Sequence, residues 1–131
     1  MKANKLMIGD WLKHYNGTPM QVTKITTEHF ACAENGGINC WEYNNKFEPI
    51  PLTAEILEKS DILYEKQSFY YVIEDDKDLE CTYYIQQVLQ GDWVIGVDIG
   101  AYDCSVFARI KYIHELQHAL KLCGIDKEII V

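Results

Sequence analysis

The stretch "IGDWLKHYNGTPMQVTKI" (Ile8–Ile25) sets Asn16-Gly17 between two extended runs, Ile8–Tyr15 and Pro19–Ile25. Both turn residues tolerate positive φ, so the pair predicts a tight antiparallel hairpin. Glu28–Ala33 and Ile38–Tyr43 flank "ENGG" (Glu34–Gly37), a second hairpin signal, and Lys46–Ile50 supplies a short closing strand in which Pro49 is tolerated at an edge. Five short strands packed into about 50 residues predict a small SH3-like β-barrel over residues 1–52, with a simple open meander as the alternative.

The seam over residues 53–66 follows "EPIPL", where Pro49 and Pro51 keep the chain extended. Thr53 is placed to cap a short helix from Ala54, and Leu52 and Leu57 have the spacing of a hydrophobic staple. Residues 67–131 return to strands. Gln67–Glu74, Cys81–Leu89, Asp92–Ile99 and Cys104–Tyr112 carry β-branched and aromatic residues and predict a four-stranded antiparallel sheet. In the last of these, Cys104, Val106, Ala108, Ile110 and Tyr112 alternate with Ser105, Arg109 and Lys111, and only Phe107 breaks the alternation, which favours a strand over a helix. Then the period changes. Ile113, Leu116, Leu120 and Cys123 recur at helical spacing, and Gly124 suits the residue after a helix end. The expected fold class is therefore α+β: the barrel, then a sheet with the C-terminal helix packed on it. "KEIIV" at the end reads as a short edge strand.

Composition narrows the function. The 131 residues are 48% apolar, enough for a core, and no apolar run approaches the roughly 20 residues of a membrane span. The start lacks a signal-peptide pattern, which predicts a cytoplasmic protein. The net charge of −8, with basic residues scattered, argues against a nucleic-acid-binding barrel and against anionic membrane surfaces. The five cysteines, Cys32, Cys40, Cys81, Cys104 and Cys123, include no C-x-x-C pair and read as thiols of a reducing compartment.

One motif carries a chemical suggestion. His114-Glu115-Leu116-Gln117-His118 is H-E-x-x-H, in which two histidines one helical turn apart ligate zinc beside a carboxylate base. A small zinc-dependent hydrolase would use His114 and His118 as ligands and Glu115 as the base. The helical phase argues against it: the stripe Ile113, Leu116, Leu120 faces the core, which turns His114 and His118 toward solvent. A third ligand is also needed; His14, His29, Asp98 and Asp103 are candidates that spacing does not place. "EDDKDLE" (Glu74–Glu80) lacks the frame of a calcium loop and reads as a solvated hairpin tip.

The aromatics point elsewhere. Trp11, Trp41 and Tyr43 fall on the predicted barrel strands, and Tyr70, Tyr71, Tyr83 and Tyr84 on neighbouring strands of the second half. Exposed aromatics anchor protein interfaces. The expectation is a non-catalytic protein-interaction module, without a cofactor, whose binding surface carries Trp11, Trp41 and Tyr43. The partner would be another protein or a second copy of the chain.

Three segments, "MKANKLMIGDWL", "FEPIPLTAEIL" and "IKYIHELQHALKLCGIDKEI", resemble a group of small uncharacterised proteins encoded in prophages and mobile elements of gut Bacteroidetes. The resemblance spans both ends and the seam. It implies an accessory role in a mobile element and brings no catalytic residue with it. In the similar proteins the positions of Glu115 and His118 commonly carry other residues, which implies that Leu116 and Gln117 serve packing.

Overall fold

Gly17 sits at φ +92°, and its N–H donates to the His14 carbonyl (2.8 Å) while Asn16 Oδ1 accepts the Thr18 N–H (2.9 Å). This turn folds β1 (Trp11–His14) back on β2 (Pro19–Ile25), with Leu12 opposite Met20. β3 (Phe30–Ala33) pairs with the other side of β2 across a bulge, and β4 (Phe47–Pro49) returns antiparallel to β1. The computed structural model describes residues 1–34, 37–63, 65–66, 70–88, 91–99 and 104–131.

The chain divides into two compact units, Met1–Pro51 with Tyr112–His114, and Leu52–Lys111 with Glu115–Val131. In the first, the sheet order is β3-β2-β1-β4. Leu12, Met20, Val22, Phe30, Cys32 and Phe47 form its core, joined by Ala3 and Leu6. Among the described residues no pairing links β3 to β4, so the expected barrel does not close. The reason is local: β4 is three residues long and spends its pairing on β1, while the free side of β3 takes only one residue, Cys40, in an isolated bridge to Cys32. The second hairpin is thus reduced. Residues 37–43 run as an extended strap rather than as a strand, and Asn35 and Gly36 of its turn lie outside the described residues.

In the second unit Thr53 caps α1 (Ala54–Lys59), its Oγ1 accepting the Ile56 N–H at 3.3 Å, and Leu52 and Leu57 are both buried. The sheet has five strands rather than the expected four. β5 (Glu65–Lys66), β6 (Tyr71–Asp76), β7 (Cys81–Gln87), β8 (Trp93–Asp98) and β9 (Cys104–Ile110) are antiparallel throughout in that order. β5 escapes sequence reading because two exposed polar residues show no alternation. It is held by pairing with β6 and by Lys66 Nζ on Glu58 Oε1 at 2.7 Å.

β9 is a strand, as its alternation predicts, but little of it is buried. Val106 is 57% exposed and Phe107 44%, because β9 is an edge strand and a register shift between Ile95 and Gly96 breaks its phase. Only Ile110 is fully buried there among the described side chains. α2 (Ile113–Leu122) ends as expected at Gly124, φ +71°. The Ile125 N–H reaches the Leu120 carbonyl (2.9 Å) and the Gly124 N–H that of Lys121 (3.0 Å), the pair of bonds that satisfies a helix C-terminus. "KEIIV" is not a strand. Its backbone is tied by the Ile130 N–H to Ser60 Oγ (2.8 Å), and Lys127 Nζ donates to the carbonyls of Ile62 and Ile73. Among the described residues no helix is long and apolar enough to cross a membrane.

Candidate functional site

The period of β1 decides the environment of His14. Leu12 and His14 point inward, so the imidazole is 4% exposed, edge-on to Phe47 at 5.2 Å and tilted against Tyr15 at 4.4 Å. The same period operates on the strap. Cys40 and Glu42 turn toward the sheet, while Trp41 (51% exposed) and Tyr43 (77%) turn away from it. A polar cluster lies on one side of this short segment and an aromatic face on the other, and Glu42 belongs to both.

In the cluster, His14 Nε2 lies 2.9 Å from Glu42 Oε1, and the Cys40 thiol donates to the same oxygen at 3.4 Å. The His14–Glu42 distance is that of an ion pair, but the angle is not that of a hydrogen bond, so Nε2 is buried without an aligned acceptor. Nδ1 faces the Asn16 N–H at 3.4 Å. Burial, followed by the hydrogen bond and charge of Glu42, raises the Cys40 thiol above its ordinary value. Burial, together with the neighbouring Cys40, pushes Cys32 up to about 12. Neither thiol is therefore an activated nucleophile. Among the described residues the free thiols are those of Cys32, Cys40, Cys81 and Cys123.

Burial also pushes the Glu42 carboxyl upward, but the close imidazole of His14, the hydrogen bond from Cys40 and the charge of Lys46 outweigh it, leaving a net lowering. A lowered folded value stabilises the fold above the unfolded carboxyl value and is lost as pH falls through the folded one. Urea midpoints of the wild type are expected to fall on acidification below about pH 4.3, and Glu42→Gln to flatten that fall. An unchanged acid limb in the variant would show that Glu42 does not hold the strap.

The aromatic face is the wall of an open depression of about 650 Å³ lined by Thr26, His29, Trp41, Glu42 and Tyr43. The strap is anchored at both ends of this face. Asn39 Oδ1 accepts the Thr23 hydroxyl at 2.7 Å, and Asn44 Nδ2 donates to the Glu28 carbonyl at 2.8 Å. Trp41 and Tyr43, expected together, do share one wall. Trp11 does not line it and is half-buried on β1 opposite Gln21. His29 and Glu42 were not singled out by sequence reading for this surface; the alternation around Cys40 was the available signal.

The H-E-x-x-H segment is arranged differently from the expectation. His114 does not face solvent: it is 8% exposed, with the Tyr112 ring stacked on it at 6.0 Å and 12°. His118 is half-buried. Glu115 Oε1 accepts the Lys111 N–H at 3.0 Å, a carboxylate satisfying backbone beside the first turn of a helix. Among the described residues, the group of three side chains able to share a metal ion is His14, Cys40 and Glu42, and it includes none of His114, Glu115 and His118. Asp103 lies outside the described residues. The acidic hairpin tip has a local account: Asp76 Oδ1 accepts the N–H groups of Asp78 and Leu79, both at 3.1 Å.

Compared with protein families, with curated proteins and with solved structures, the chain matches none.

Proposed function

We propose that this chain is a non-catalytic interaction module that docks an extended segment of a protein partner in the depression walled by Trp41 and Tyr43. The supporting observation is the pair of large aromatic side chains held outward on an anchored strap. Aromatics with few rotatable bonds provide contact area at low entropic cost, and Trp and Tyr are common centres of binding energy. Glu42 and the overall charge of −8 favour a segment with a basic or donor group beside its apolar anchor.

An SH3-like plan agrees with this reading. The bridge at Cys40 adds a fifth position, beyond β3, to the four-stranded sheet, the 3-10 turn Asn44–Lys46 leads into β4, and β4 returns to β1. The resemblance to proteins of prophages and mobile elements of gut Bacteroidetes supports an accessory role. Self-association through the same face is the alternative partner.

Selection of peptides from a displayed random library against the full chain tests the proposal. Trp41→Ala and Tyr43→Ala are each expected to weaken the selected peptides by about 30-fold or more, the effect of a 2 kcal/mol anchor. Because both side chains are exposed, the thermal midpoint should hardly change. Peptides bound equally well by the double variant would move the docking surface elsewhere.

A further inference from the structure

We propose that His14, Cys40 and Glu42 form a binding site for a zinc-type divalent transition metal that ties the strap to β1. One imidazole nitrogen, one sulfur and one carboxylate oxygen lie within 4.8 Å of one another. Metal–ligand lengths of about 2.0–2.3 Å in a tetrahedron imply ligand–ligand edges of roughly 3.3–3.7 Å. The observed 2.9 Å (Nε2 to Oε1) and 3.4 Å (Sγ to Oε1) are close to those edges. A thiolate with an imidazole selects zinc or cobalt over magnesium or calcium, which prefer oxygen. Three protein ligands leave a fourth position for water.

The second observation is His14 itself. Its ring is buried by Phe47 and Tyr15, yet Nε2 has no aligned hydrogen-bond acceptor. Buried ring nitrogens rarely stay so, because the unmade bond costs free energy. A metal ion at the centre of the three donors removes that cost.

Loading is balanced by proton release. The Cys40 thiol gives its proton to solvent as the sulfur–metal bond forms and its hydrogen bond to Glu42 is lost. With Nε2 on the metal, the ring proton resides on Nδ1, which gives up its long contact with the Asn16 N–H. Two negative ligands then neutralise the ion. Binding therefore tightens as pH rises. Trp41 lies between two ligands in sequence, so loading would also fix its backbone. That consequence rests on the docking reading; the metal site does not.

The test is titration of the untagged full chain with cobalt(II), followed by zinc competition. A single equivalent should give a thiolate-to-cobalt charge-transfer absorption that Cys40→Ser abolishes. Glu42→Gln should weaken binding by at least the 10–100-fold typical of losing even an outer partner of a metal site. His118→Ala should leave it unchanged. On the wild type alone, zinc should protect Cys40 from alkylation while Cys123 remains reactive, which decides the matter even where a variant fails to fold. No charge-transfer band, a band that survives Cys40→Ser, or unprotected Cys40 overturns the site. Peptide docking measured without metal separates this result from the docking proposal: docking that persists while the metal tests fail leaves the module reading intact.

Discussion

Trp93→Ala is expected to lower the unfolding free energy by roughly 3–5 kcal/mol, a large share of the 5–15 kcal/mol usual for a domain. Trp93 is 1% exposed on β8, between Gln87 of β7 and Ile110 of β9. Its ring lies 6.2 Å from that of Tyr71, and its indole N–H donates to the Leu52 carbonyl at 3.1 Å. Truncation leaves a cavity the size of an indole and a buried carbonyl without its donor. The two losses are separable. Trp93→Phe fills most of the space and removes only the donor, so its cost should fall to about 1–3 kcal/mol. Urea unfolding followed by far-ultraviolet circular dichroism measures both. A loss below about 1 kcal/mol for the alanine variant would mean that water enters the pocket and this part of the core is not close-packed.

Gly96→Ala is expected to destabilise by about 1–3 kcal/mol, although alanine ordinarily stabilises a strand relative to glycine by about 0.5–1 kcal/mol. The constraint is space, not backbone conformation, since Gly96 is not among the glycines at positive φ. A β-carbon there would sit 2.6 Å from the Tyr84 hydroxyl oxygen, 2.7 Å from Tyr84 Cζ and 2.8 Å from the Ser105 carbonyl oxygen. Tyr84 faces Gly96 in the β7–β8 register and lies over the bare backbone, with Tyr70 edge-on at 6.0 Å. This covering of a strand glycine by an aromatic ring makes the two positions interdependent. In a thermal-denaturation cycle with Tyr84→Ala, the two substitutions should be less damaging together than their sum, because removing the ring relieves most of the clash. Simple additivity would show that the Ser105 backbone, rather than the ring, sets the cost.

These expectations share a feature with the site. Each depends on a contact between residues far apart in the chain, and such contacts leave little trace in local pattern. The helix phase of Ile113, Leu116 and Leu120 was legible, and those residues are buried. The environment of His114 was not: the helical phase turns it toward solvent, yet it is buried, with the Tyr112 ring stacked on it. The β9 alternation correctly predicts a strand but does not show how much of it is buried. Whether a strand lies at an edge is a property of the sheet order, not of the strand's own residues.

What the sequence determined by itself is the set of short-range decisions. Asn16-Gly17 turns the first hairpin, Thr53 starts α1, Gly124 ends α2, and the β-branched and aromatic runs become antiparallel strands. Each is settled by sterics or hydrogen bonds within a few residues, so neighbouring letters contain the answer. The tertiary structure alone decided that His14 of β1 meets Cys40 and Glu42 of the strap, and that Trp41 and Tyr43 face outward together while Trp11 does not join them. That outcome follows from the sheet order β3-β2-β1-β4 and the single bridge from Cys32 to Cys40. The bridge fixes which face of the strap turns inward, and a one-residue slip would exchange the polar cluster for the aromatic wall.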